Sequence, residues 1–387
     1  MTGNENAKLI LPDYVPEPDP ARADRLIGVH YFPGWKPGTH RGWGVLDGFP
    51  ERTPLLGFYD ESNPEVADWE IKWALEHGIT FFLYCWYRKR ENEGQPVAPD
   101  GFRLGHAIHE ALFHARYGDR FRFAIMWENG NGGNFASVND LRDNLLRFWI
   151  DEYFAKPNYL CYEGRPMLFM YHLDHMVEAA GGVDGARRAL DMVRKGVDGA
   201  GLGDPLILCE YRGQSGEQLE RIRAVGFDAA FAYCWHSPRQ YPTIDEAFAQ
   251  QLDKLTAWKE AGILPFVPTA TVGWDPMPWA RDDGPQTWLH RDKMTRWYAT
   301  PAQYRDLLAR VKMFADGFPA GSLMRDMLLL DNWNEWGEGH FISPHAGGGF
   351  GYLQAVRDVF TDSRNLPDYR YPEQIDRGPY GHDGRCR

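Results

Sequence analysis

The chain has 387 residues, of which 43% are hydrophobic and 25% are charged, a balance that is typical of a folded globular protein. Its formal net charge of −12 disfavours nucleic acid and anionic membrane surfaces as partners. The five cysteines include no CxxC pair, which argues against a metal site and against a disulfide framework. No segment approaches a transmembrane length, and the N-terminus lacks the pattern of a signal peptide. The sequence as written therefore predicts a cytoplasmic protein, or a periplasmic or secreted one if a signal peptide has been removed.

Short apolar runs alternate with amphipathic segments along most of the chain. The apolar runs predict strands over residues 26–32, 79–87, 120–127, 165–172, 205–211, 229–235, 263–274 and 327–330. The amphipathic segments predict helices over residues 63–78, 106–116, 138–154, 183–197, 217–225, 244–261, 301–314 and 352–360. The second run, ITFFLYCWY, is apolar without alternation, as expected of a strand that is buried on both faces of a parallel sheet.

Eight strand-then-helix units in succession predict an α/β fold, a (β/α)8 TIM barrel with long βα loops. A doubly wound open sheet is the alternative, but HYFPGW follows the first strand where that fold carries GxGxxG. We expect a catalytic barrel over residues 26–362, an N-terminal extension over 1–25 and a C-terminal tail over 363–387. A loop of roughly 25 residues follows strand seven, and a loop of that length in a compact domain is usually functional.

Titratable and aromatic residues gather where the predicted strands end, which is where barrels of this kind carry their sites. Carboxylates and amides can bind sugar hydroxyls, and aromatic rings can stack on the apolar faces of sugars. The candidate substrate-binding residues are His30, Tyr31, Trp35, Trp86, Glu128, Asn129, Tyr171, His172, Glu210, Tyr211, Trp235, His236, Trp274, Asn334 and Trp336. Together with Trp333, the tryptophans of this set predict a ring-lined groove, whereas Trp69 and Trp73 lie four apart on a helix and are assigned to the core.

The strongest signal is MLLLDNWNEWGEG, residues 327–339, in which a buried strand is followed abruptly by acids, amides and tryptophans. Glu335 and Glu338 are three residues apart, so on one turn of helix both could address one sugar. Glycoside hydrolysis typically needs two such carboxyl groups, and these two are the candidate catalytic residues. The structural alternative is a capping or salt-bridged pair on a loop. Glu128 and Glu210 could bind hydroxyls or replace either acid.

A cluster of two histidines and an aspartate has residue types that could in principle hold a metal ion. His172, Asp174 and His175 form an HxDH pattern whose spacing matches no established metal motif. Hydrogen-bonding roles are therefore expected for these residues, and the sequence predicts no metal and no other cofactor.

Several motifs resemble a known family. HYFPGW after the first strand, WEN after the third, and WNEWGEG followed by FISP after the eighth resemble the WbsX-like proteins, which are related to the endo-α-mannosidases of glycoside hydrolase family 99. The resemblance covers about residues 26–360 and implies that Glu335 takes the proton of the sugar 2-hydroxyl, so that O2 attacks the anomeric carbon and forms a 1,2-anhydro sugar. It implies that Glu338 protonates the departing oxygen and then activates water, with net retention, and that Tyr31 contacts a subsite. Gly337 stands between the acids where the endomannosidases tend to carry His.

The sequence thus predicts a glycoside hydrolase acting on an oligosaccharide or polysaccharide, with neither nucleic acid nor membrane as a partner. WbsX-like proteins are often described as glycosyltransferases, so a transferase of cell-surface polysaccharide biosynthesis is one alternative. A sugar-nucleotide transferase would be expected to show a Rossmann-type fold and often an Asp-x-Asp site, and the sequence offers no convincing version of either. An inactive carbohydrate-binding barrel is the other alternative, against which the intact pair Glu335 and Glu338 argues.

Overall fold

A computed structural model describes residues 14–98, 104–130, 137–213, 215–237, 239–280, 294–362, 364–375 and 380. Within these residues, eight parallel strands form the centre of the molecule. Their bounds are Leu26–Tyr31 (β1), Phe81–Tyr87 (β2), Arg122–Glu128 (β3), Arg165–Met170 (β4), Leu206–Glu210 (β5), Ala229–Phe231 (β6), Phe266–Val267 with Thr269–Ala270 (β7) and Met327–Asn332 (β8).

The strands close into a barrel. Each pairs in parallel with the next from β1 to β8, and β8 returns to pair with β1, with Met327 opposite Leu26. Pro268 divides β7, so that its first half pairs with β6 and its second half with β8. Proline has no N–H to donate, but its carbonyl oxygen accepts a hydrogen bond of 3.0 Å from the Leu329 N–H. The predicted (β/α)8 barrel is confirmed, and the doubly wound sheet is excluded.

Helices connect the strands around the outside of the barrel. Their bounds are Pro64–Glu76 (α1), residues 138–154 with π-helical turns over Leu141–Leu145 and Ile150–Phe154 (α2), Leu173–Ala179 (α3), Val183–Gly199 (α4), Gly216–Val225 (α5), Ile244–Ala261 (α6), Pro301–Asp316 (α7), Leu323–Asp326 (α8) and Gly351–Phe360 (α9). The segment predicted as a helix over 106–116 forms a π-helical turn, Ala107–Ala111, and then a 3-10 turn, Leu112–His114.

Capping residues in the sequence set where several helices begin. The Asn63 side chain accepts the N–H of the second residue of α1, which has proline at its first position. Thr243 and Glu246 form a capping box at the start of α6, and Thr300 and Gln303 form one at the start of α7. Because these signals are local, the predicted starts of the three helices agree with the structure.

Five features near the C-terminal ends of the strands differ from the prediction. The strand predicted over 229–235 ends at Phe231, and the one predicted over 263–274 is broken at Pro268. The unpredicted helix α3 begins two residues after β4. Beyond β8, Asn334–Glu335 pairs antiparallel with His340–Phe341, and beyond β7, Gly273–Trp274 pairs with Trp297–Tyr298. The mouth of the barrel therefore carries two short pairs of antiparallel strands, of which Asn334–Glu335 with His340–Phe341 forms a tight hairpin.

The flanking segments pack on the barrel where they are described. The Tyr14 hydroxyl donates to Asp68 on α1 at 2.6 Å, and the Ala21 N–H donates to the Leu75 carbonyl at 2.9 Å. Residues 1–13 of the expected N-terminal extension, residues 281–293 of the long loop after β7, and residues 363, 376–379 and 381–387 of the expected tail lie outside the described residues. The division of the chain at residues 25 and 362 stays a prediction. Among the described helices, none is both long and apolar enough to cross a membrane.

Candidate active site

A tight hairpin beyond β8 carries the two candidate catalytic acids. Its strands place Glu335 opposite His340, so the two acids lie on a hairpin and not on the expected turn of helix. Gly339 closes the turn with a φ of +67°, and a Cβ at this position would lie 2.5 Å from the Asp275 carbonyl oxygen. Both the positive φ and the close approach require glycine. The backbone of the hairpin is therefore fixed at the residue that follows Glu338.

Two buried acidic side chains hold this hairpin from outside the barrel. Glu70 on α1 accepts the indole N–H of Trp333 at 3.0 Å, and Glu61 accepts the side-chain N–H of Asn334 at 2.9 Å. Asn334 also accepts the N–H of Phe32 at 2.8 Å. Burial and then the charge of Glu61 raise the pKa of Glu70 to about 8. Trp333 and Asn334 therefore bind the protein and orient the acid that follows them.

Glu335 is a buried carboxyl group, one oxygen of which has no hydrogen-bond partner among the described residues. Its side chain is 2% exposed, and the oxygen in question is Oε1. Burial, the charge of Glu338 and the charge of Glu61 raise the pKa of Glu335 well above its ordinary value, and Arg41 opposes them. A buried, unpaired carboxyl group costs free energy. Such a group in a cleft is a candidate for proton transfer.

Glu338 lies at one end of a chain of three hydrogen-bonded side chains. His340 contacts Glu338 Oε2 through Nε2 at 3.0 Å and Asp331 Oδ1 through Nδ1 at 2.7 Å. Asp331 and His340 are fully buried, whereas the Glu338 side chain is 16% exposed. Burial alone would lower the pKa of His340, but the two carboxylates raise it to about 9. His340 is therefore an imidazolium at neutral pH and connects Glu338 to the barrel wall.

An open pocket of about 470 Å³ lies beside this chain of side chains. It is lined by Tyr171, His172, Leu173, Asp174, Glu210, Arg212, Gln218, His236 and Lys254. The Trp274 ring connects the two parts of the mouth, since it lies 4.2 Å from the His236 ring and 5.1 Å from the His340 ring. The Tyr233 ring lies 5.6 Å from the His340 ring and 5.7 Å from the Tyr171 ring, so it lies between the hydrogen-bonded chain of Glu338 and the pocket.

The structure gathers part of the predicted set around this mouth. Besides Glu335 and Glu338, the predicted residues there are Glu128, Tyr171, His172, Glu210, His236 and Trp274. Glu128 Oε1 lies 3.6 Å from His172 Nε2. Burial and then the nearby His175 and Arg212 lower the pKa of His172 to about 4. His172 is therefore neutral at pH 7 and can donate or accept a hydrogen bond.

The expected ring-lined groove is corrected by the structure, because most of the predicted tryptophans pack inside the protein. Trp35, Trp86, Trp235 and Trp336 are each no more than 2% exposed. The indole N–H of Trp35 donates to the Asn334 carbonyl at 2.7 Å, and that of Trp86 donates to the Tyr153 hydroxyl at 3.0 Å. The indole N–H of Trp235 donates to the Thr269 carbonyl at 2.9 Å, and that of Trp336 donates to the Tyr59 hydroxyl at 3.4 Å. Trp274 is the predicted tryptophan that keeps an open face.

Four further predicted residues are also turned into the protein. Tyr31 donates to Glu70 at 2.8 Å, Tyr211 donates to the Ser215 carbonyl at 2.8 Å, and Asn129 exchanges two hydrogen bonds with the backbone of His172. His30 lies inside the barrel with its ring 4.8 Å from that of Tyr233, and burial lowers its pKa to about 3. Side chains alternate along a strand, so a strand-end residue faces either the mouth or the helix layer. The expected sugar contact by Tyr31 is corrected for this reason.

Asp331, His340, Arg212 and Lys254 were not predicted as site residues. Asp331 reads as the polar end of an apolar strand, and His340 lies two residues beyond the acid that it contacts. The HxDH residues do not converge: the rings of His172 and His175 lie 4.7 Å apart and are tilted by 34°, and Asp174 pairs with Arg221 at 2.8 Å. Among the described residues, no group of three or more His, Cys, Asp or Glu has the arrangement of a metal site.

Comparisons with known proteins identify the family and the fold of this chain. Residues 139–356 match the family model described as glycosyltransferase WbsX. Two relatives from Xanthomonas campestris pv. campestris, one from strain ATCC 33913 and one from strain B100, are both described as uncharacterized protein WxcX. Each is 25% identical over 336 residues, which cover 79% of this chain and 43% of the relative. The chain therefore spans less than half the length of these relatives.

Among solved structures, the chain is similar to the GH99 endo-alpha-mannosidase from Bacteroides thetaiotaomicron. The complex of that protein with BIS-TRIS-propane has a TM-score of 0.58 and 18% identity, covering 87% of this chain and 96% of that one. A second structure of the same protein has a TM-score of 0.56 and 18% identity, covering 87% and 97% of the two chains. At this identity the similarity establishes a common barrel fold.

Proposed function

This chain belongs to the WbsX family, and from that premise we propose that it is a glycoside hydrolase that cleaves an oligosaccharide or polysaccharide with Glu335 and Glu338. The observation that carries the proposal is the contrast between the two acids. Glu335 is buried, and one of its oxygens has no hydrogen-bond partner in the part of the chain that the structure describes, whereas Glu338 is partly exposed and hydrogen-bonded to His340. Two carboxyl groups in different environments at the C-terminal mouth of a barrel suit proton removal and proton donation on one sugar.

In the first half of the proposed reaction, Glu335 takes the proton of the sugar 2-hydroxyl. The O2 atom then attacks the anomeric carbon, and the bond from that carbon to the leaving oxygen breaks. Glu338 gives its proton to the leaving oxygen, and a 1,2-anhydro sugar remains. The form of the enzyme that reacts carries the one proton of the pair on Glu338 and none on Glu335. The raised pKa of Glu335 makes its carboxylate a stronger base than an ordinary glutamate in that form.

In the second half, water attacks the anomeric carbon and gives its proton to Glu338. The C1–O2 bond breaks, and O2 recovers the proton that Glu335 holds. Both acids return to their starting states, and two inversions at the anomeric carbon give net retention. No cofactor takes part in this sequence of steps.

His340 is a positioning residue in this proposal. Through its contacts with Asp331 and Glu338 it restricts the rotation of the Glu338 carboxyl group. Its positive charge stabilises the carboxylate that Glu338 becomes after it has protonated the leaving oxygen. The residues around the adjacent pocket, with Trp274 at its edge, would bind a neighbouring sugar ring.

The first test replaces the proposed acid. In Glu338→Gln, cleavage of substrates with ordinary sugar leaving groups should be lost, because the amide cannot protonate the leaving oxygen. Aryl glycosides with acidic phenol leaving groups need little protonation and should keep measurable turnover. Equal losses on both substrate types would remove Glu338 from this role. Glu260→Gln, which changes an exposed acid at the end of α6, is the matched control.

The second test replaces the proposed base. Glu335→Gln should lower kcat by about 10²–10⁴-fold, the range of general acid–base catalysis, while the dissociation constant of an intact oligosaccharide stays within a few-fold. Steady-state kinetics and equilibrium binding measure the two quantities. Near-normal kcat in this variant would contradict the mechanism.

A glycosyltransferase is the second candidate function, because the matched family model carries that description. A transferase must bind an activated donor, whereas the hydrolase needs only the glycan and water. Calorimetric titration with a panel of nucleotide sugars distinguishes the two. We expect no binding, and transfer of a sugar from such a donor to a glycan would contradict the hydrolase proposal.

A further inference from the structure

The pocket beside Glu338 has an unusual balance of charge for this protein. We call it the Lys254 pocket and define it by the side chains of Tyr171, His172, Glu210, Arg212, His236 and Lys254. Its volume of about 470 Å³ falls within the range of about 300–1,000 Å³ that is common for small-molecule sites. The chain as a whole carries a net charge of −12, so a cation that faces such a pocket without a counter-ion needs an explanation.

Most of the charges in the wall of the pocket are already paired. The guanidinium of Arg212 is held by Glu210 and by the Tyr171 hydroxyl, and it packs over the Tyr171 ring at 5.4 Å. Asp174, at the rim, pairs with Arg221 on α5 at 2.8 Å. Burial lowers the pKa values of His172 and His236, so both rings are neutral at pH 7. These groups can bind hydroxyls but add no net charge.

Lys254 is different, because no carboxylate among the described residues pairs with it. It projects from α6, where its Nζ donates to the Arg212 carbonyl at 3.2 Å and lies 5.2 Å from the centre of the Trp235 ring. Its side chain is half-buried, and burial and then the charge of Arg212 lower its pKa, while the charge of Glu210, which forms no ion pair with it, acts in the opposite direction. A partly desolvated ammonium group without an anion is costly. An anion in the pocket would offset that cost.

We propose that the Lys254 pocket binds an acidic sugar residue of the substrate, with one carboxylate placed against Lys254, next to the bond that is cleaved. This inference rests on the proposed function, since it assigns a substrate class to the same site. A single unpaired cation matches a single negative charge. Glu210 and Asp174 in the same wall disfavour a diphosphate, which would bring several negative charges close to them.

The Lys254 pocket lies next to the proposed catalytic acids. His236 in its wall and His340 beside Glu338 both contact the Trp274 ring, and Tyr233 separates Tyr171 from His340. A sugar bound in the pocket would therefore neighbour the sugar at the carboxyl pair. The neutral imidazoles and Tyr171 would bind its hydroxyls, and Lys254 its carboxylate.

The test measures binding without turnover, on the Glu335→Gln/Glu338→Gln double variant. The probes are methyl glycosides of D-glucuronate, D-galacturonate and D-mannuronate, each compared with the methyl glycoside of its neutral hexose by ligand-observed NMR titration. At least one uronate should bind about tenfold more tightly than its neutral counterpart. Lys254→Gln added to the double variant should reduce that ratio to within about twofold, and Lys254→Arg should restore part of it.

Lys195→Gln, which removes one positive charge from the exposed face of α4, is the matched control and should leave the ratio unchanged. Raising the salt concentration from about 0.05 M to about 0.5 M should weaken uronate binding and not hexose binding, which tests the ion pair without a substitution at Lys254. Equal binding of every uronate and its hexose would overturn the inference. So would a preference that survives Lys254→Gln, or Lys254-dependent binding confined to inorganic phosphate and nucleotide sugars.

These outcomes separate the inference from the proposed function. Lys254-dependent uronate binding by a chain whose wild-type form hydrolyses no glycan would support the acidic-sugar site and contradict the hydrolase. Hydrolysis of neutral glycans by a chain without any uronate preference would support the hydrolase and contradict the acidic-sugar site. The double variant makes the binding result independent of catalysis.

Discussion

Glu335 and Glu338 have the same side chain but lie in different surroundings, and those surroundings suggest different tasks. Burial and two neighbouring acids favour the protonated form of Glu335, whereas Glu338 contacts the imidazolium of His340. A carboxyl group that must accept a proton benefits from high basicity, and one that must donate benefits from stabilisation of its anion.

The pH dependence of the reaction should reflect the buried acid. The reactive form has Glu335 ionised and Glu338 protonated, so the pair of acids holds one proton. Because the pKa of Glu335 is raised, the pair should keep this last proton well above the ordinary glutamate value of about 4.3, and the alkaline limb of kcat/KM should reflect its loss. A kcat/KM profile between pH 4 and 10 checks this, and an alkaline limb near the ordinary value would show that Glu335 does not act as the base.

Replacing His340 should weaken catalysis without removing either acid. His340→Gln keeps a hydrogen-bond donor but loses the positive charge between Asp331 and Glu338. We expect kcat to fall by about ten- to a hundredfold, less than the loss of up to about 10⁴-fold for an acid–base group itself. Steady-state kinetics measure this change. His114→Gln, at an exposed position, is the control, and unchanged kcat in His340→Gln would show that the imidazolium plays no part.

The charge state of His340 can be measured apart from activity. Its two carboxylate neighbours raise its pKa to about 9, so its ¹⁵N ring signals should remain those of an imidazolium through neutral pH. Asp331→Asn removes one of the two charges and should move the titration towards the ordinary value of about 6.5. A ring that titrates near that value in the wild-type protein would contradict the arrangement.

The segment after β7 packs against the hairpin of Asn334–Glu335 with His340–Phe341, which carries the two acids. Arg52 donates to the carbonyl oxygens of Trp336 and Asp275, both at 3.0 Å, and so ties the two segments together. The Trp279 ring occupies the space beside Gly337, where a Cβ would lie 1.7 Å from the indole Nε1 atom. Gly337 is therefore required by space, and a side chain there cannot coexist with Trp279 in this position.

Gly337→Ala should disturb the hairpin through Trp279. Overpacking of this kind costs about 1–3 kcal/mol of stability, and displacement of the ring should also lower kcat/KM, because the turn leads directly into Glu338. Thermal unfolding and kinetics report the two effects. Trp279→Ala in the same chain should relieve the clash, so the double variant should be more stable than the sum of the two single changes predicts. Additive effects would show that the two residues do not interact.

The sequence predicts the elements of this fold better than their arrangement at the mouth. Apolar runs and capping residues are local signals, so the eight strands and the starts of α1, α6 and α7 follow from them. The hairpin of Asn334–Glu335 with His340–Phe341 depends on contacts with Glu61 and Glu70, which lie more than 260 residues earlier. No local pattern contains that information.

The same limit explains which site residues could be predicted. Glu335 and Glu338 stand out because carboxylates after an apolar strand have no role in a core. Trp35 and Trp235 look like sugar platforms in the sequence, yet their N–H groups satisfy buried carbonyls. Lys254 lies on α6, far in sequence from any strand end, so its place beside the pocket appears only when the barrel closes.

Buried titratable groups make the stability of the folded protein depend on pH, some on the acid side and others on the alkaline side. Burial lowers the pKa of His30 to about 3 and those of His77 and His345 to about 4. Their unfolded value is about 6.5, so they favour the folded state above that pH, and this stability is lost as the pH falls towards their folded values. The protein should therefore lose stability on the acid side as these rings are forced to take up protons. Melting temperatures between pH 3 and 7 measure this loss.

On the alkaline side, Glu70 and His340 have the opposite effect. Their folded pKa values are raised to about 8 and about 9, so the stability they contribute is complete below their unfolded values and is lost as the pH rises through the folded ones. The free energy of unfolding should fall by at most about 1.4 kcal/mol per pH unit for each group. Glu70→Gln mimics the protonated carboxyl group, since its amide can still form hydrogen bonds with Trp333 and Tyr31. The melting temperature of this variant should therefore decline less steeply than that of the wild type between pH 5 and 8. Both proteins should still lose stability up to pH 9, because His340 gives up its proton in both. Parallel curves for the two proteins would mean that Glu70 is already ionised in the folded state.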